Sequence, residues 1–208
     1  MQRRAFLVSA IATGLFGATT LPSRAAEAYV DASAAFIRDL SHKAITTLSN
    51  PDLSTEDRRA KFRDLFNDSF AVQGIALYVL GRYRRRATKE ELNEYLSLFE
   101  DVIVNTWADR FTEYAGQKFE VKGAAAIASG SDKEKAAIVQ STFFTDPNTL
   151  VDIEWRVNTN GKVYKITDVK VAGLSLAKTQ QDEFGSVIRA NGNKVSALID
   201  KLRQMRNS

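Results

Sequence analysis

From residue 29 onward, apolar positions recur at helical spacing. Ala32, Phe36-Ile37, Leu40, Ala44-Ile45 and Leu48 form one stripe, which predicts an amphipathic helix over 29–48. Asn50-Pro51 ends it, because proline disfavours the α region for the residue before it. Ser54 with Asp57 has a capping arrangement and opens a second helix carrying Phe62, Leu65 and Phe66. A third, predicted from Phe70 to Leu80, is apolar nearly all round (Ala71, Val72, Ile75, Ala76, Leu77, Val79, Leu80) and stops at Gly81. So little polar face predicts burial between layers. The capping box Thr88…Glu91 launches the longest stripe: Leu92, Tyr95-Leu96, Phe99, Val102-Ile103, Thr106-Trp107, Phe111 and Tyr114, closed by Gly116. As one α-helix of about 27 residues it would span roughly 40 Å.

The period then changes to two. Val151, Ile153, Trp155 and Val157 alternate with Asp152, Glu154, Arg156 and Asn158, the pattern of a strand with one apolar and one solvated face. Asn160-Gly161 is a hairpin signal in which both residues can take positive φ. It leads into a β-rich run from Val163 to Val171 that stops at Gly173. Four strands are predicted, around 117–122, 134–144, 150–158 and 162–172. Turn clusters such as Ser129-Gly130-Ser131-Asp132 and Asp146-Pro147-Asn148 separate them. Helices over 176–190 and 194–205 finish the chain, with Gly192 between them. A sheet with one apolar face must be covered, and the material left to cover it is helical. The expected fold is α+β, one domain, with a mostly antiparallel four-stranded sheet.

The first 25 residues stand apart. Met1-Gln2-Arg3-Arg4 is basic, Ala5 to Leu21 is mostly small and apolar, and Ser23-Arg24-Ala25 or Ala26-Glu27-Ala28 offers small residues for cleavage. This predicts a cleaved export signal over 1–25 and a mature domain over 26–208; an uncleaved anchor is the alternative. Arg3-Arg4-Ala5-Phe6-Leu7 also resembles a twin-arginine signal. Removing the signal changes the charge. The whole chain carries +4, but three of its 29 Lys and Arg leave with the signal. The remaining 26 face 25 Asp and Glu, a balance of about +1 that does not support general attraction to nucleic acid. Without cysteine, an exported domain of this size holds together by its core, and thiolate zinc sites are excluded.

Catalytic signals are sparse. Gly173-Leu174-Ser175-Leu176-Ala177 narrowly misses the Gly-x-Ser-x-Gly nucleophile elbow. The single histidine, His42, lies on the polar side of the first helix with Asp39 as its evident neighbour. The alternative is that Ser175 caps a helix and His42 is solvated. Asp168 sits inside a strand, where Asp is depleted, either as a hydrogen-bonded structural carboxylate or as a general base. No cluster has metal-ligand spacing. Arg82, Arg84, Arg85 and Arg86 form the densest charge run, either a solvated connection or a docking patch for anionic headgroups or an acidic partner. The convergence of apolar helices on an apolar sheet face predicts either a dense core or a greasy cavity, and composition alone does not separate them.

One ordered set of residues does. Leu80-Gly81-Arg82-Tyr83-Arg84, Ala87-Thr88, then Tyr95, Phe99 and Tyr114…Gly116 come first. Asp168-Val169-x-Val171-x-Gly173-Leu174-Ser175-Leu176 and Phe184-Gly185-x-x-x-Arg189-x-x-Gly192 follow. Together they resemble the MlaC family of periplasmic phospholipid carriers, also called toluene-tolerance proteins, with its hopanoid-associated HpnM branch. The likeness covers nearly all of the mature chain. Tyr164 departs from the Trp of many members, and Thr179-Gln180 from the Tyr-Arg of some.

The resemblance implies helices wrapped around a curved sheet that encloses a deep apolar pocket. Acyl chains would lie inside with headgroups near the mouth, and no bond chemistry would occur. Phospholipid would be cargo, with no cofactor or metal. The partners implied are an outer-membrane lipoprotein complex and an inner-membrane ABC-transporter complex. Val72, Ile75, Phe99, Ile103, Trp107, Phe143, Trp155, Val171, Leu174 and Phe184 lie on the stripes that face the sheet–helix gap and are the expected lipid-binding positions. The competing readings are a small α+β enzyme with Asp168 as base and a solid-core structural or adaptor subunit.

Overall fold

The computed structural model describes residues 24–114, 117–130, 134–146 and 149–207. The predicted export signal up to residue 23, Gly116, Ser131-Asp132 and Pro147-Asn148 lie outside them. Helices α1 (Arg24–Leu48), α2 (Thr55–Ser69) and α3 (Val72–Leu80) come first, then a 3-10 turn (Gly81–Arg85) and α4 (Lys89–Ala108). A second 3-10 segment (Asp109–Tyr114) leads into β1 (Phe119–Ile127), β2 (Lys135–Asp146), β3 (Thr149–Thr159), β4 (Tyr164–Val171) and β5 (Leu174–Ser175), and α5 (Leu176–Ala190) and α6 (Val195–Arg206) close the chain.

The caps follow the sequence chemistry. Ser54 Oγ accepts from the Asp57 amide at 3.0 Å, and Thr88 and Glu91 complete both bonds of a capping box. At the end of α1 the structure adds a device that the Asn50-Pro51 signal did not foretell. Arg58, on α2 and nearly fully buried, donates to the carbonyls of Leu48, Asn50 and Leu53. A cation thus serves the last carbonyl of α1, which the helix end leaves without an intrahelical partner, together with two carbonyls of the loop beyond it. Lys165 of β4 does the same for α2, donating to Asn67 O and Asp68 O.

Three helical expectations need correction. Phe70 is the C-cap of α2 in extended conformation, so α3 begins at Val72. Helix α3 is not buried all round, since Gln73, Gly74 and Tyr78 face solvent. The long aromatic stripe is α-helical only to Ala108. At 1.5 Å per residue its 20 residues span about 30 Å, and the chain then tightens into the 3-10 segment. There Ser49 Oγ donates to Phe111 O at 2.9 Å, and the Phe111 ring meets Phe62 at 5.7 Å. Contacts with α1 and α2 override the continuing period.

The sheet is an antiparallel meander in the order β1-β2-β3-β4-β5, five strands where four were expected. The extra one has two residues and pairs with β4 through Val171↔Leu174. Residues Ala172 (φ 48) and Gly173 (φ 81) make the reversal, a two-residue turn with both residues at positive φ. At Asn160-Gly161 only Gly161 has positive φ. Asn160 instead accepts from the Lys162 and Val163 amides through Oδ1, an Asx turn. Register shifts at Val121/Gly123, Phe144/Asp146 and Arg156/Val157 bend the strands, as bulges do. The last lets Ile166 pair with Val157 while Val169 pairs with Trp155, so both β4 side chains meet the apolar face of β3.

Two separate cores result. One joins α3, α4, α5 and α6 around Tyr95, Phe99, Phe184, Ile188 and Leu198. The other joins α1 to one end of the sheet around Ile37, Val139, Val157 and Ile166.

Candidate functional site

Between the two cores lies a cavity of about 520 Å³. The sheet supplies one wall with Phe119, Phe143, Val151, Ile153, Trp155, Val169 and Val171. Its opposite walls come from Leu40, Ala44, Ile45 and Leu48 of α1, Phe62, Leu65 and Phe66 of α2, Ile75 and Val79 of α3, and Phe99, Ile103 and Trp107 of α4. Phe111 of the second 3-10 segment and the first residues of α5 complete it. The alternation read in β3 explains this wall. Val151, Ile153 and Trp155 face the cavity, and Val157, next on the same face, is sealed in the α1 core. Phe119 stands edge-on to Trp155 at 6.3 Å.

The polar atoms of the wall are few and mostly engaged. Trp155 donates its indole N–H to Ser141 Oγ at 2.9 Å, which leaves the ring faces apolar. Asp168 Oδ1 accepts from the Val169 amide at 2.9 Å and from the Ala177 amide at 3.3 Å. The carboxylate therefore sits against the N-terminus of α5, where a helix favours negative charge. Ser175 caps the same helix by accepting from the Lys178 amide at 3.0 Å. The near-miss elbow is thus a helix cap. His42 is exposed, and Thr46 Oγ1 donates to its backbone carbonyl. Leu176, Thr179 and Glu183 line the cavity and are exposed, so the first turns of α5 stand at the mouth. Among the described residues no group of His, Cys, Asp or Glu could hold a metal ion.

Of the ten expected positions, Ile75, Phe99, Ile103, Trp107, Phe143, Trp155 and Val171 stand on the wall. Three do not. Val72 is in the first turn of α3, half-buried and off the lining. Leu174 is 69% exposed because the Ala172-Gly173 turn carries it outward. Phe184 points into the helical core, edge-on to Tyr95 at 6.4 Å and Phe99 at 6.5 Å. The stripe of an amphipathic helix shows which side is buried and not what it is buried against. The lining from α1 and α2 was missed for the same reason, although Leu40, Ala44, Ile45, Phe62 and Phe66 all belong to stripes read in the sequence. The arginines lie elsewhere. Arg82, Arg84, Arg85 and Arg86 are exposed on and just after the 3-10 turn that follows α3.

The size of the cavity matters energetically. The cavity of about 520 Å³ opens to solvent at its mouth, so its apolar lining stays hydrated when empty, and covering that lining with an apolar ligand gains roughly 25 cal/mol per Å². Water would find few polar partners on this wall. The cavity is built to be filled by something apolar.

The family model described as MlaC protein matches residues 38–204. The chain belongs to the MlaC protein family. Toluene tolerance protein ttg2D of Pseudomonas putida is 24% identical over 119 residues, 57% of this chain and 53% of that protein. The intermembrane phospholipid transport system binding protein MlaC of Haemophilus influenzae is 21% identical over 127 residues, 61% of this chain and 58% of that protein. The chain thus spans just over half the length of these two relatives. A phospholipid-binding protein from Ralstonia solanacearum, solved in complex with a phospholipid, superposes with a TM-score of 0.66 at 20% identity. That match covers 84% of this chain and 96% of the other, and the two share the MlaC fold.

Proposed function

We propose that this chain is a periplasmic lipid carrier. It takes the acyl chains of a phospholipid, or of a related lipid such as a hopanoid, into the cavity between sheet and helices. The headgroup stays at the mouth by the first turns of α5. The observation that carries this reading is the cavity itself, large, open at one end and lined mostly by apolar side chains. Membership of the MlaC family and the printed functions of two relatives, phospholipid binding and intermembrane phospholipid transport, support it. The lipid-binding positions are Ile75, Phe99, Ile103, Trp107, Phe143, Trp155 and Val171, with Leu40, Ile45, Phe62 and Phe66 on the facing helices. No bond chemistry is assigned, because Ser175 is the N-cap of α5 and Asp168 Oδ1 accepts from the Val169 and Ala177 amides. Native mass spectrometry of protein purified from cells tests the proposal. The mature mass plus one or more lipid masses is expected, and a bare chain from freshly lysed cells would overturn it.

The wider role follows from the same reading. The carrier would receive and deliver lipid at an outer-membrane lipoprotein complex and an inner-membrane ABC-transporter complex, docking through Arg82, Arg84, Arg85 and Arg86. Arg84, Arg85 and Arg86 changed together to Glu should leave the fold intact, since solvated charges contribute about 0–1 kcal/mol per pair. Lipid transfer between vesicles carrying the partner complexes should slow, most at low salt. An unchanged rate would return these arginines to a solvated turn. Export is assigned to residues 1–25. Arg3 and Arg4 changed together to Lys should hold the precursor in the cytoplasm on a twin-arginine route, and normal processing would indicate the general secretory route.

A further inference from the structure

Away from the lipid cavity, a second cleft of about 230 Å³ lies between the 3-10 turn after α3 and the middle of α5. Arg82, Tyr83, Gln181, Asp182, Gly185 and Arg189 stand on its walls. The spacing Gly185-x-x-x-Arg189 lets the arginine fold back over the glycine one turn below. A Cβ on Gly185 would lie 3.1 Å from Arg189 Nη1 and 3.8 Å from Tyr83 Cε2, so the bare glycine makes room for a guanidinium beside the tyrosine. The Arg82 guanidinium lies 5.1 Å from the Tyr83 ring centre and donates to Tyr83 Oη at 3.2 Å.

Two guanidiniums are therefore gathered at one buried phenol, which is 4% exposed. The hydrogen bond from Arg82, with the Arg189 guanidinium nearby adding a smaller effect, holds the Tyr83 hydroxyl below its ordinary value. Both guanidiniums are exposed, and two cations gathered at one phenol raise the local positive potential, which favours an anion there. Among the described residues neither arginine has a carboxylate within ion-pair distance. Asp182, the acidic residue on the wall, is engaged by Lys178. The phenol oxygen accepts from Arg82, while Arg189 donates to Ser186 Oγ at 3.4 Å. The phenol's own proton therefore needs an acceptor, and no described residue supplies one.

We propose that this cleft is an oxyanion site for a phosphate group, held by Arg82 and Arg189 with the Tyr83 hydroxyl as a third donor. A carboxylate has two oxygens and satisfies one guanidinium fork. A tetrahedral phosphate has oxygens enough for two forks and a hydroxyl. Arg84, Arg85 and Arg86, exposed nearby, add a field that draws anions to the cleft. The inference takes the arginine run as a surface for anionic headgroups and rests on the carrier reading for the expected source of the phosphate, a lipid headgroup at a membrane surface. The cavity and its cargo are not involved.

The test uses the whole mature protein. Inorganic phosphate is titrated by calorimetry, with acetate in parallel. Flotation is measured on phosphatidylcholine vesicles with and without phosphatidylglycerol, and retained cavity lipid is read by native mass spectrometry on the same samples. Phosphate should bind the wild type more tightly than acetate. Binding should weaken at least tenfold when Arg82 and Arg189 both become Gln, weaken several-fold in Tyr83→Phe, and stay unchanged in Arg203→Gln, which lies on α6 in an ion pair with Glu94. Flotation that free phosphate competes away identifies headgroups as the source, whereas phosphate binding without flotation identifies phosphate in solution; both support the site. No phosphate binding by the wild type, equal binding by the double variant, or acetate binding as tight as phosphate overturns it. Loss of cavity lipid with phosphate binding intact would count against the carrier reading and leave this one standing.

Discussion

Tyr95 is a residue with one evident task. It is fully buried in the helical core, and its hydroxyl donates to Ala76 O at 2.8 Å, joining α4 to α3. Burial disfavours the phenolate and pushes the hydroxyl well above its ordinary value. The native state therefore keeps its proton after the unfolded chain has lost its own. This contribution is complete below about pH 10, the ordinary tyrosine value, and is lost as pH rises beyond it. Tyr95→Phe should cost about 1 kcal/mol at neutral pH and lessen the loss of stability above pH 10 in denaturant titrations. An unchanged alkaline profile would mean that another group sets it. Asp168 was conspicuous in the sequence as an Asp within a strand. Its partner, the Ala177 amide, was not legible, because the bond crosses a turn whose geometry depends on Ala172 adopting positive φ. Asp168→Asn should cost about 0.3–1 kcal/mol through the lost charge at the N-terminus of α5 and leave lipid retention unchanged.

The elements themselves were largely readable, and the exceptions have physical causes. Helix α5 runs over the predicted residues, with Ser175 capping it and the period of Phe184 and Ile188 filling one buried face. Where the chain reverses between β4 and β5, local signals pointed only to Gly173, and β5 is too short to leave a period. Gly173→Ala would force a side chain into φ 81 and should cost about 1–2 kcal/mol, measured by urea unfolding. Ala172→Gly should be neutral or slightly stabilising, since glycine relieves the φ 48 strain but is more mobile when unfolded. A stabilising Gly173→Ala would contradict the turn assignment. The end of α4 was misread because contacts of Phe111 with α2 and of its carbonyl with Ser49 are long-range, and a periodic stripe carries no record of them.

On the scale of the whole molecule, the sequence showed how much apolar surface there was but not the space within it. Val151, Ile153, Trp155 and Val157 form one unbroken alternation, yet three face a cavity and the fourth a sealed core. The two regions should respond differently to substitution. Ile188, fully buried in the helical core, should cost about 2–5 kcal/mol when cut to Ala, with or without lipid. Ile103, half-buried on the cavity wall, should tolerate Asp, because a carboxylate at an emptied, hydrated cavity can keep its water. The most direct test is thermal unfolding of delipidated wild type and Ile103→Asp, each with and without added phospholipid. On the carrier reading both fold, lipid raises the wild-type midpoint progressively with its concentration, and the variant shows no such shift. An unfolded Ile103→Asp together with a wild-type midpoint that lipid never moves would contradict it.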